Sequence, residues 1–287
     1  MFRKIKYFFS LIKFSHTIFA LPFALIGFFI GYFEQKPSWK LLIYVILCMI
    51  FARTAAMAFN RYIDRNIDAK NPRTKQREIP AGKIKSISAL ALTIIMAIHF
   101  VVTTFFINKL VFYLSFVALL IILGYSYTKR FTPLCHFVLG LGLALAPIGA
   151  YLVVVPAFKI VPVLISIIVL LWVSGFDIIY SVQDFDFDEQ NNLKSVAVWL
   201  GKSKALYLSS ILHFFAGLIL IFTIWYAKFS FWGWIGALCF IILLIYQHLI
   251  VKPNDLSRVN AAFGTLNGIA SIVLAAFLIL DMFTRNY

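Results

Sequence analysis

The chain has 287 residues, 62% of them hydrophobic and 13% charged, an apolar content that excludes an ordinary soluble domain and places it in a bilayer. Its formal net charge of +15 comes without a nucleic-acid motif, so it reads as cytoplasmic loops meeting anionic headgroups rather than nucleic-acid binding. Cys48, Cys135 and Cys239 lie in or beside apolar runs with no CxxC or metal-type spacing, so no disulfide framework or redox role follows.

Arg3, Lys4 and Lys6 precede an apolar run that continues to about Phe33 without a small-residue cleavage site, which makes the start a membrane helix, not a signal peptide. Apolar segments of about 17 to 25 residues mark spanning helices. Nine are predicted, at 14–33, 41–62, 86–107, 110–128, 135–155, 160–181, 205–227, 231–251 and 259–283, giving an all-α polytopic membrane protein. Lys13 and His16 open the first. His99, His136, His213 and His248 show no ligand spacing and are expected to be packed or interfacial.

At the end of the second span, Asn60, Asp64 and Asp68 recur every four residues, which on a helix stacks an amide and two carboxylates on one face over roughly 12 Å. Acids at this spacing repel each other unless a cation joins them. Magnesium takes oxygen ligands, keeps waters and commonly shares its shell with substrate phosphates. Carboxylates beside Lys70, Arg73, Lys75 and Arg77 therefore suggest a metal-bound diphosphate. Arg53 lies about two turns earlier in the same span.

Further along, Tyr125 and Lys129 share a helical face, offering a phenol and an ammonium to phosphate oxygens, or else an interfacial aromatic with a snorkelling lysine. The planar guanidinium of Arg130 suits bidentate capture of a carboxylate. Asp177 falls inside an apolar span, where an unpaired carboxylate is costly. A supporting role at a metal site or an acceptor contact is its expected use, with Arg53 as a candidate ionic partner. Asp184 and Asp188 then close the sixth span at the same four-residue spacing, followed by Lys194, while Asp186 turns to another face.

The two acidic regions also run alike downstream, Ala81-Gly82-Lys83-Ile84-Lys85 against Leu200-Gly201-Lys202-Ser203-Lys204, so residues 1–287 are read as one domain with an internal duplication. Facing acidic rows could join two metals to one diphosphate and stabilise a leaving group without a protein nucleophile. With alternating sides, only Lys36, Lys40, Lys109, Lys159, Lys228 and Arg285 fall opposite the basic, motif-bearing face, which the positive-inside rule makes cytoplasmic along with the N-terminus. One-sided acids argue against a transporter, whose ionisable groups belong near mid-membrane. The compact Asp-Gly and Gly-x3-Asp-x3-Asp run of a membrane alcohol phosphotransferase is absent.

Together these motifs resemble the UbiA superfamily of intramembrane aromatic prenyltransferases, and the resemblance covers essentially the whole chain. Asn60-x3-Asp64-x3-Asp68 is similar to the family's first aspartate-rich motif, Asp184-x3-Asp188 to its second and Tyr125-x3-Lys129 to its tyrosine/lysine element. Arg73-Thr74, Arg77 and Pro80-x-Gly82 fit the loop after the first motif. The resemblance implies that the four aspartates bind magnesium and diphosphate, that Arg77, Lys129 and Lys194 neutralise it, and that Arg130 meets the carboxylate of an aromatic acceptor. It implies transfer of a polyprenyl group from polyprenyl diphosphate to a ring carbon of 4-hydroxybenzoate or a dihydroxynaphthoate in quinone biosynthesis, with haem, chlorophyll or ether-lipid acceptors as alternatives. Ala58-Phe59-Asn60 stands where the 4-hydroxybenzoate branch commonly has an Asn-Asp pair. Phe176-Asp177-Ile178-Ile179-Tyr180 and Arg53-Thr54-Ala55-Ala56-Met57-Ala58 look like the menaquinone-pathway enzymes.

Overall fold

The computed structural model describes Tyr7, Ser10, Leu11 and residues 19–285. Arg3, Lys4, Lys6, Lys13, His16 and the predicted helix over 14–18 lie outside the described residues. Among the described residues, eight helices are long and apolar enough to cross a membrane and one further apolar helix is shorter. In chain order the elements are α1 (Leu21–Gln35), α2 (Lys40–Ile63), α3 (Arg65–Lys70), α4 (Ser86–Phe105), α5 (Lys109–Thr128) and α6 (Cys135–Val154). There follow α7 (Ile160–Ser181), α8 (Phe185–Gln190), α9 (Val196–Leu200), α10 (Lys202–Tyr226), α11 (Phe231–Ile250) and α12 (Asn267–Arg285). The long helices match the expected spans to within a few residues, except that the last, expected over 259–283, opens with a π-helical turn at Ala261–Leu266 before α12. α1 starts later than expected, with Pro22 in its first turn, where a missing N–H costs no helical hydrogen bond.

Lipid is as apolar as leucine, so these helices associate through close packing and shared polar contacts rather than through a hydrophobic drive. α1 crosses α6 where Gly27 faces Pro147; a Cβ on Gly27 would overlap the Pro147 carbonyl oxygen and lie 2.7 Å from its carbon. Trp172 of α7 anchors the centre, with ring centroids 5.1 Å from Phe23 and 5.0 Å from Phe176. Its indole N–H donates to Asn267 Oδ1 at 2.8 Å, which also accepts from Gln247 Nε2 at 2.9 Å, while Asn267 Nδ2 donates to the Ala262 carbonyl in a π-helical turn. Gln247 Oε1 finds no hydrogen-bond partner among the described residues, but Trp172, Gln247 and Asn267 otherwise share their buried polar atoms, as a water-free interior favours.

The same holds at the helix ends opposite Asn60. Asp281 is buried and accepts from the backbone N–H groups of Ser230 and Gly233 at the start of α11, at 3.1 and 2.8 Å, and pairs with Arg285 at 3.0 Å. Glu34 accepts from the Tyr151 hydroxyl at 3.0 Å and from Lys159 at 2.6 Å. Large apolar side chains such as Ile94, Ile98, Phe116 and Leu120 remain exposed on α4 and α5, the surface expected to meet lipid tails.

Candidate active site

The first acidic row is bent rather than straight. Asp64 closes α2 at φ −86°, ψ 1°, and α3 begins at the next residue. Backbone hydrogen bonding continues through the break, from Asp64 N to Asn60 O at 2.9 Å and from Asp68 N to Asp64 O at 2.8 Å. Asp184 repeats this geometry at φ −96°, ψ 6°, between the 3-10 turn Val182–Asp184 and α8, another six-residue helix. Each break turns carboxylates out of a helix end into a shared space.

That space is a polar cavity of about 210 Å³ lined by Asn60, Asp64, Asp68, Asp177, Asp184 and Asp188, together with Arg73, Arg77, Tyr125 and Lys129. Asp64 is buried and accepts from Arg130 Nη2 at 2.8 Å and Asn60 Nδ2 at 2.9 Å, with Lys129 Nζ at 3.5 Å. Both oxygens of buried Asp68 meet Arg77 Nη1, at 2.7 and 2.9 Å. Asp184 takes the fork of Arg73, whose Nε lies at 2.9 Å and whose Nη2 closes the second arm, and accepts from Asn71 Nδ2 at 3.1 Å. Arg73 also donates to the Tyr180 hydroxyl at 2.6 Å. Burial on its own would lower the Arg73 pKa, but the hydrogen bond and charge of Asp184 outweigh it and hold the guanidinium above its ordinary value.

The connection over 71–85 brings these arginines back onto the acids. Asn71 Oδ1 accepts from Arg73 N at 2.9 Å, and the Thr74 hydroxyl donates to Asp68 O at 3.1 Å. Gly82 supplies the left-handed residue, φ 70°, and the N–H groups of Lys83 and Ile84 close onto Glu78 O at 2.9 and 3.1 Å. Asp186 turns away, 77% exposed and 3.4 Å from Lys202.

Three expected placements differ. Arg130 is occupied: besides Asp64 it donates to the carbonyls of Ser126 at 2.7 Å and Ile63 at 3.1 Å, because the α2 break leaves Ile63 O and Asp64 within its reach. Lys194 is exposed and lies outside the cavity lining; its backbone N–H bonds Lys129 O at 2.7 Å. The partner of Asp177 is His136, with Nδ1 at 2.7 Å from Oδ2, not Arg53. Arg53 instead lines a second cavity.

This second cavity, about 350 Å³, lies between α2, α4, α5 and α6 and is walled by residues such as Met49, Ala56, Leu114, Ile122 and Ala146. Arg53 is the sole charged side chain in its described lining, and Tyr125 and Leu139 line both cavities. The polar cavity and the apolar one therefore adjoin at these two residues. The sequence reading missed His136, Asn71 and Tyr180, whose partners are remote in sequence.

The donor set suits a hard cation: carboxylate oxygens in quantity, with those of Asp64, Asp68 and Asp184 each beside an arginine or lysine that would face phosphate. Among the described residues no three acidic, histidine or cysteine side chains converge on one point. Mg2+ held here would take oxygen ligands from these side chains and complete its shell with water and phosphate oxygens, which is its usual habit.

Comparison with known proteins bears on the whole chain. The model of the UbiA prenyltransferase family matches residues 20–277. A 4-hydroxybenzoate octaprenyltransferase from Aeromonas salmonicida is 31% identical over 241 residues, spanning 82% of this chain and 81% of that protein. The apo structure of a UbiA homologue from Aeropyrum pernix K1 superposes with a TM-score of 0.84 at 30% identity, covering 93% of this chain and 98% of that one. A UbiA homologue from Archaeoglobus fulgidus bound to GPP and Mg2+ shares the fold, with a TM-score of 0.72 at 19% identity, covering 96% and 99% of the two chains.

Proposed function

The chain belongs to the UbiA prenyltransferase family, and on that premise we propose that it transfers a polyprenyl group from polyprenyl diphosphate to a ring carbon of a hydroxyaromatic acid in respiratory quinone biosynthesis. The observation that carries this reading is the junction of the two cavities at Tyr125 and Leu139. A substrate with an anionic head and a long apolar tail matches an acid- and base-lined chamber adjoining an apolar one. The relative named 4-hydroxybenzoate octaprenyltransferase supports a 4-hydroxybenzoate acceptor. A dihydroxynaphthoate is the second candidate, on the sequences around Arg53 and Asp177.

The Archaeoglobus fulgidus homologue of the same fold is bound to GPP and Mg2+. In this scheme Asn60, Asp64, Asp68, Asp184 and Asp188 would hold Mg2+, which would supply positive charge to the leaving diphosphate. Arg73, Arg77, Lys129 and Tyr125 bind and neutralise the same oxygens, with Lys194 adding charge from outside the cavity. Ionisation leaves an allylic cation at the junction, and an electron-rich ring carbon attacks it without a protein nucleophile. Arg53, the sole charged side chain in the described lining of the apolar cavity, anchors the acceptor carboxylate there, while Arg130 serves Asp64. The protein acts as one domain built by duplication, in the inner membrane, with its N-terminus and polar cavity facing the cytoplasm.

The test offers purified protein and magnesium one polyprenyl diphosphate with 4-hydroxybenzoate, a dihydroxynaphthoate and a glycerophosphate, and identifies products by mass. A prenylated aromatic acid is expected. Prenylated glycerophosphate as the sole product overturns the aromatic reading.

A further inference from the structure

Asp64, Asp68 and Asp184 each face an arginine or lysine, whereas Asp177 makes no ion pair with either residue type among the described residues. It is held by His136, which is 3% exposed. The other nitrogen of that ring, Nε2, lies 3.4 Å from the backbone N–H of Val196. A backbone N–H can only donate, so Nε2 accepts and the proton sits on Nδ1, directed at Asp177 Oδ2. Val196 opens α9, and the Ser174 hydroxyl of α7 lies 3.3 Å from the His136 carbonyl. The imidazole is thus fixed from both sides and fixes Asp177 in turn.

Asp177 lines the polar cavity together with Tyr125, one of the two residues that also line the apolar cavity. Bond breaking at the allylic carbon belongs at that junction, so the attacking ring lies within reach of Asp177. We propose that His136 is a positioning residue that holds the Asp177 carboxylate to receive the acceptor's ring proton, an inference that rests on the aromatic prenyl transfer argued above. The step balances. The allylic C–O bond breaks with its electron pair going to diphosphate, a ring π pair forms the new C–C bond, and the displaced ring C–H pair restores aromaticity as its proton passes to Asp177 and then to water.

The test compares wild type, His136→Ala, His136→Gln and Asp177→Asn using 4-hydroxybenzoate with and without deuterium at the ring position that is prenylated. Wild type is expected to show no isotope effect on kcat, since ionisation limits it. His136→Ala should lose about ten- to a hundredfold in kcat, the scale of one hydrogen bond to a charged group, and a normal primary isotope effect should appear while KM for polyprenyl diphosphate holds. Asp177→Asn should do the same or more. His136→Gln should recover most of the rate, because its amide can donate to Asp177 and its carbonyl can accept from Val196. Loss in His136→Ala without an isotope effect, or His136→Gln as impaired as His136→Ala, overturns the proposal. A wild type that makes no prenylated aromatic acid overturns the functional reading and this inference together, whereas an active wild type with isotope-insensitive variants overturns only the inference.

Discussion

Replacing Arg53 by alanine separates acceptor recognition from diphosphate capture. In a cavity of about 350 Å³ whose other described lining residues carry no charge, the guanidinium sits in a low-dielectric surround that strengthens its contact with an anion. A hydrogen bond to a charged group contributes about 1.5 to 3 kcal/mol. At about 1.4 kcal/mol per decade, Arg53→Ala should lower kcat/KM for a carboxylate acceptor by roughly ten- to a hundredfold. Steady-state assays should show KM for polyprenyl diphosphate nearly unchanged, and a phenol lacking the carboxylate should lose little further activity in the variant. Arg130→Ala should behave differently, because Arg130 holds Asp64 at 2.8 Å and so acts on the diphosphate end. If Arg130→Ala impairs the acceptor parameters far more than the diphosphate ones while Arg53→Ala leaves them alone, the assignment is reversed.

Three other outcomes follow from the geometry. Asp64→Asn and Asp184→Asn should each abolish turnover in a protein that remains folded, while Asp186→Asn, at an exposed carboxylate, should be mild; wild-type rates from the first two at limiting magnesium would remove these carboxylates from the metal site. Arg73→Ala should raise KM for polyprenyl diphosphate yet free Asp184, so magnesium alone should raise the melting temperature of the variant more than that of wild type; equal shifts would show that the pair does not compete with the cation. Gly27→Ala should destabilise the protein by about 1 to 3 kcal/mol, the usual scale of overpacking, since the obstacle is the Pro147 backbone. A detergent melting curve identical to wild type would mean that α1 and α6 part without cost.

The spans were legible because each is a local run of apolar residues whose length is set by the bilayer. The acidic rows were legible for a related reason: four-residue spacing survives the bend at Asp64, where backbone hydrogen bonds still join residues four apart, and it persists in sequence across the 3-10 turn that ends at Asp184. Partners across the fold left no such mark. His136 and Asp177 lie on different helices 41 residues apart, and neither residue's neighbours hint at the other. Arg130 looked available for a substrate because its sequence context does not reveal the bend that delivers Asp64 to it. Arg53 looked like a partner for Asp177 because both are charged groups inside apolar spans, and only the packing shows that one faces each chamber.

The two bends have an electrostatic consequence. α2 and the helical run ending at Asp184 both finish at the polar cavity, and the carbonyl end of a helix carries the equivalent of about half a negative charge. At these bends, however, new helices begin at Arg65 and Phe185, and the Asn60 and Asp64 carbonyls still accept backbone hydrogen bonds, so the two ends are largely masked. The charge of the chamber is then set by its side chains, five aspartates against Arg73, Arg77 and Lys129, an excess of acids that opposes a bare polyanion. Diphosphate should therefore enter as a preformed complex with its cation, or after it, and initial-rate kinetics should show free diphosphate inhibiting weakly until magnesium is present to accompany it.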